Sequence, residues 1–97
     1  MSIESIQAID VHGHYGDYHC GRPEIVNELM TGDGQVVAER ARRANVRLTI
    51  VSPLEALLPR GHGDAVSGNR NAARVVAETP GLLQYVVIDP RRPEIYR

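Results

Sequence analysis

Ile6-Gln7-Ala8-Ile9-Asp10-Val11-His12-Gly13-His14 is the stretch on which the reading of this chain turns. Its first part, Ile6 to His12, predicts a strand. The apolar positions Ile6, Ala8, Ile9 and Val11 are too dense for strict alternation, which suits a strand covered on both faces. Residues 13–22 hold three glycines and no periodicity, and predict a loop.

Downstream the pattern repeats. Pro23 to Met30 predicts a short helix, with proline in its first turn and Ile25, Val26, Leu29 and Met30 as an apolar stripe. Asp33 or Gly34 opens a second helix to about Ala44, with Val37, Ala41 and Ala44 inward and Glu39 placed to pair with Arg43. Val46 to Ser52 (VRLTIVS) is a β-branched second strand. Residues 53–68 read as a long loop, and Asn69 as the N-cap of a third helix ending at Glu78. Its apolar face is Ala72, Val75 and Val76. Leu82 to Ile88 (LLQYVVI) is the third strand, and Arg92-Pro93-Glu94 looks like a further helix start. Strands alternating with helices predict an α/β fold, with parallel strands and right-handed crossover helices. The abandoned last helix gives the expectation of an incomplete domain over residues 1–97.

Composition narrows the function classes. The 97 residues carry 42% hydrophobic and 24% charged residues and a net charge of -1, as expected for a soluble folded chain rather than a disordered one. Eleven Arg, no Lys and a pI near 6.4 leave no basic footprint for nucleic acid. No apolar run reaches the ~20 residues of a membrane span. Glu4 and the lack of an apolar core segment argue against a signal peptide. Cys20 is the single cysteine, so no internal disulfide forms and a cytoplasmic location is expected. With no Trp, no Phe and four Tyr, the core must be built from Val, Ile, Leu and Ala.

The chemistry lies in His12 and His14. Side chains alternate along a strand, so both imidazoles point to one side at its C-terminal end, as ready ligands for a divalent metal. Asp10 shares their parity, either orienting an imidazole or sitting as a buried, hydrogen-bonded carboxylate. His-x-His also ends ordinary strands; its place at the end of the first strand of a βα series favours a metal site, since α/β barrels carry their active sites there. Other candidates are weaker. His19 and Cys20 complete a four-ligand zinc set on paper, at a spacing unlike the usual ones. His62 and Asp64 read as solvated loop residues, and Ser52 as a turn former without a nucleophile elbow. Gly32-Asp33-Gly34 follows no strand and so lacks the setting of a phosphate loop. Arg40, Arg42, Arg43 and Arg47 read as a solvated face.

Three stretches, IDVHGHYG, ANVRLTIVSP and NRNAARVVAETPGLLQYVVIDPRRPE, together resemble the amidohydrolase superfamily. The likeness is to its amidohydrolase-related branch of hydrolases and aminocarboxymuconate-semialdehyde-type decarboxylases. It spans nearly the whole chain in the family's order. Where members often carry an Arg and an aromatic after the helix-ending proline, this chain has Gly81-Leu82-Leu83. The resemblance implies the first three β/α units of a (β/α)8 TIM barrel, a fold of about 250 residues when whole. It implies one or two divalent metals, commonly zinc, with His12 and His14 as the first-strand ligands and the remaining ligands beyond Arg97. The implied activity is metal-dependent hydrolysis of a small-molecule substrate, or carbon–carbon cleavage by a related lyase (a decarboxylase). The 97 residues alone are then expected to be inactive. Two alternatives stand beside it: a non-catalytic α/β module that forms a homo-oligomer, and a small zinc-binding protein.

Overall fold

The structure, a computed structural model, describes residues 6–18, 24–59 and 62–96. In chain order they form β1 (Ala8–Tyr15), α1 (Glu24–Met30), α2 (Gly34–Arg43), β2 (Val46–Pro53), α3 (Ala65–Glu78) and β3 (Leu82–Gln84). The three strands make one open sheet in the order β1-β2-β3, and both pairings are parallel. The alternation read from the sequence therefore yields the α/β class as expected. No described helix is long and apolar enough to cross a membrane.

β2 explains where the core sits. Thr49, Val51 and Pro53 are buried, whereas Leu48, Ile50 and Ser52 between them are half-buried. Alternate residues face opposite sides of a sheet, so one face is covered and the other is open. On the covered face Tyr15, Val51, Ala72 and Leu82 cluster, with Val37 and Ala38 of α2 and Val75 and Val76 of α3 against them. On the open face Leu83, in register with Ile50, stays exposed. The expectation that the first strand is covered on both sides fails: Ile6, Ile9 and Val11 are all exposed. The stripe of α1 also misses the core, since Ile25, Leu29 and Met30 are exposed and no residue of that helix is buried.

Helix ends follow their capping chemistry. Asp33 caps α2 by accepting the Val36 N–H at 2.9 Å. After Ala44, Asn45 takes φ 60, a left-handed value that asparagine tolerates and that commonly ends helices. Its carbonyl accepts the Ala8 N–H at 3.0 Å and its side chain donates to the Ile6 carbonyl, which sets β1 beside the start of β2.

Two boundaries differ from the expectation. α3 begins at Ala65, capped by Asp64, one turn before Asn69; the Asp64 carboxylate accepts the Ser67 N–H at 3.0 Å. The stretch before it is no plain loop, because Leu54–Ala56 forms a 3-10 turn. β3 is three residues long rather than seven. Asn69 has a different task from capping: its amide donates to the Val87 carbonyl at 3.0 Å and accepts the Val87 N–H at 2.9 Å. The backbone at Val87 therefore bonds to a side chain of α3 instead of a neighbouring strand. The last helix start is realised as a 3-10 helix, Pro93–Tyr96.

Two predictions arise from these contacts. The Thr49 hydroxyl is buried and has no hydrogen-bond partner among the described residues. A buried unpaired hydroxyl costs free energy that an isosteric methyl does not, so Thr49→Val is expected to stabilise by up to about 1 kcal/mol. Urea unfolding measures it, and a loss of stability would contradict the unpaired state. Asp64, in turn, is held below the usual carboxylate range, chiefly by the backbone N–H of Ser67. A folded-state pKa below the unfolded one adds stability above the ordinary carboxylate range, which is lost as the pH falls through the depressed value. Asp64→Asn keeps a capping oxygen but cannot titrate. The wild-type advantage over it, read from urea midpoints, is expected at neutral pH and should vanish in acid.

Candidate metal centre

β1 is irregular where the histidines lie. Asp10 pairs with Thr49 and Gly13 with Val51, so three steps along β1 match two along β2. One extra residue is thus inserted, a β-bulge of the kind that re-aims side chains. The bulge overturns the expected parity between Asp10 and the histidines. The Asp10 carboxylate is exposed and accepts the His12 backbone N–H at 2.9 Å. It braces the bulge and is neither buried nor, by that bond, bound to an imidazole.

Past the bulge the parity is regular. Position 13 faces the covered side, where a Cβ would lie 2.5 Å from Thr49 Cγ2, so glycine is required by close approach. His12 and His14 flank it and project to the open face, where Met30 of α1 shares a cleft with His14. Their ring centroids are 5.2 Å apart with planes at 73°. Two imidazoles on one tetrahedral ion, with ~2.0–2.1 Å bonds and ~1.2 Å from nitrogen to ring centre, bring their centroids to about 5 Å. The spacing fits a shared ion.

His14 is the more tightly held of the pair. It stands in register with Ser52, and its Nδ1 lies 3.3 Å from the Ser52 carbonyl oxygen. A carbonyl only accepts, so Nδ1–H donates and Nε2 keeps its lone pair for a ligand. His14 is half-buried and His12 is exposed. Ser52 contributes through its backbone, a role its side-chain identity could not signal. Among the described residues no group of three or more His, Cys, Asp or Glu is placed to hold a metal. His19 and Cys20 lie outside the described residues.

A cleft of about 400 Å³ opens beside His14, lined also by Tyr18, Met30, Leu54, Leu57 and Leu58. Its walls are pinned by backbone. Gly16 and Gly32 exchange two N–H···O bonds of 2.7 and 3.1 Å, and the Thr31 hydroxyl accepts the Tyr18 N–H at 2.9 Å. That gives Gly32 a structural task in place of a phosphate loop. The opposite wall is the 3-10 turn at Leu54–Ala56, against which α3 packs.

Tyr15, one of the four tyrosines, carries no motif that marks it for the site. It is buried below the histidines' strand end, and its hydroxyl donates to Asn71 Oδ1 at 2.5 Å. Burial, with Glu55 adding to it, pushes its phenol above the ordinary tyrosine value. Asp64, expected in a solvated loop, instead caps α3. His62 is exposed in a turn, with its N–H on the Pro59 carbonyl. Glu39 binds Arg42 at 2.7 Å and Arg43 at 3.3 Å, all on the surface, and is held below the usual carboxylate range chiefly by Arg42. No family model, curated protein or solved structure matches this chain.

Proposed function

We propose that the chain is the N-terminal portion of a metal-dependent hydrolase or decarboxylase of amidohydrolase type, its three strands forming the first β/α units of a (β/α)8 barrel. One observation carries the proposal. His12 and His14 stand together at the C-terminal end of β1 on the open face, 5.2 Å apart, with Nδ1 of His14 engaged by Ser52. Active sites of α/β barrels sit at that end of the strands, and the open face of such a sheet becomes the barrel interior.

Zinc, a divalent ion suited to imidazole, supplies Lewis acidity toward water or a substrate carbonyl when bound. The chain's own residues do the rest. Nε2 of His14 and a ring nitrogen of His12 hold the ion. The Ser52 carbonyl fixes the ring of His14 and raises its basicity by drawing on Nδ1–H. The apolar side chains of Leu54, Leu57, Leu58 and Met30 line the cleft beside His14 and shape the place a small-molecule substrate enters. A cytoplasmic location goes with this reading, supported by the lone Cys20.

Zinc titration of the purified chain tests it, followed by calorimetry against His12→Asn/His14→Asn. Saturable binding that disappears in the double variant is the expected result. A chain that binds no zinc, or binds it equally without both imidazoles, refutes the proposal.

A further inference from the structure

We infer that the cleft beside His14 is the subsite for an uncharged apolar arm of the substrate, alkyl or aryl, so that the compound brought to the metal carries such an arm rather than a second anionic group or a sugar. The inference rests on the metal-ligand reading above and adds the substrate class to it.

The place of the cleft is the first support. His14 lies near the end of β1, Tyr18 follows that strand, and Leu54, Leu57 and Leu58 follow directly on β2. Five of the six lining residues thus stand at or beyond the C-terminal ends of two adjacent parallel strands. Further strands of a barrel extend the sheet sideways and leave that end as the substrate mouth. The sixth residue, Met30 at the end of α1, is brought back over the strand ends by the bridge between Gly16 and Gly32. An ion on Nε2 of His14 therefore has this cleft as its neighbour, and a molecule on the ion reaches into it.

The chemistry of the walls is the second support. At about 400 Å³ the cleft has the size of a small-molecule site. Met30 and three leucines supply most of its surface. Backbone donors along it are already spent: the N–H groups of Leu57 and Leu58 go to the Leu54 carbonyl at 3.0 and 2.8 Å, and that of Tyr18 goes to the Thr31 hydroxyl. Among the described residues no Lys or Arg lines the cleft or the adjoining cavity that shares Leu54 and Leu58, where Asp17 and Glu55 stand instead. A carboxylate or phosphate deep in the cleft would lose water, gain no countercharge and face two like charges. Sugar hydroxyls would find only the side chains of His14 and Tyr18 to bond. An alkyl or aryl arm has no hydrogen bonds to lose and gains by leaving water.

Calorimetry on the zinc-loaded chain tests the subsite with three hydroxamates that share a zinc-chelating head and differ in the arm. Hexanohydroxamate is expected to bind about tenfold more tightly than acetohydroxamate. That is roughly twofold per added methylene, below the ~fourfold of complete burial because a cleft leaves part of the arm in water. Succinic monohydroxamate, whose arm ends in a carboxylate, should bind no more tightly than acetohydroxamate. Met30 is 55% exposed on a helix without buried residues, so Met30→Asn spares the fold. It should cut the ratio of hexano- to acetohydroxamate affinity by about threefold, a ratio in which any change of zinc occupancy cancels. Equal affinity for the two neutral probes, tightest binding of the charged one, or a ratio unmoved in Met30→Asn overturns the subsite and leaves the metal-ligand reading standing. Absence of saturable zinc binding overturns both.

Discussion

The substitution His14→Asn is expected to lower zinc affinity by about a hundredfold or more, and His12→Asn by about tenfold, a gap that follows from how each ring is held. The His14 ring is half-buried and tied through Nδ1 to the Ser52 carbonyl, so little ordering remains when it binds. His12 is exposed and its described bond runs from its backbone to Asp10. An ion gripped by both must immobilise that freer ring, and part of the binding energy is spent doing so. Competition against a chromophoric chelator, run on the wild type and each variant, gives the two ratios. Equal losses would show that the hydrogen bond to Ser52 does not pre-organise the site. A larger loss at His12 would place the principal ligand on the wrong ring.

The histidine pair was legible because it needs only the period of a strand. Where the strand is unbroken, as from His12 to His14, two residues separated by one share a side, and Gly13 between them faces away. The same reasoning fails at Asp10. Its relation to His12 depends on an unbroken strand, and the bulge lies in the register between β1 and β2, which no local pattern encodes. The strand–helix order was legible from β-branched runs and capping residues such as Asp33. The length of β3 was not. Leu82 to Ile88 has the composition of one strand, and it stops pairing where the Asn69 side chain from α3 captures Val87. Asn69 has the side chain of a cap, but Asp64 occupies that place. The exposed Ile9, Val11 and Leu83 mark the remaining difference. Apolar density says that a surface is to be buried, not what will bury it. For this sheet α2 and α3 supply the covering layer on one face, and Ile50 and Leu83 on the other face are left half-buried and exposed.

Gly68→Val is expected to destabilise the chain by about 2–3 kcal/mol. Gly68 lies in the first turns of α3, where glycine costs about 1 kcal/mol relative to alanine. Its presence needs a packing reason, and the reason is Ala56. A Cβ at position 68 would lie 2.6 Å from Ala56 Cβ and 3.2 Å from both Ala56 Cα and N. Ala56 belongs to the 3-10 turn and is itself buried, so it has no flexible end to move aside. Valine adds three carbons to that contact, and α3 must lift from the turn. Gly68→Ala grades the effect. The clash of one methyl is partly offset by the helical preference of alanine, so its net loss should be about 1 kcal/mol. Urea unfolding of the three chains measures the series. A stabilised alanine variant would mean that α3 does not approach the turn this closely. The same turn supplies Leu54 to the cleft beside His14, so displacing it should also change the cleft without touching either imidazole. Zinc affinity in Gly68→Ala is therefore expected to stay within about twofold of wild type while stability falls, because both ligands ride on β1 and the Ser52 carbonyl that holds His14 rides on β2, not on the turn.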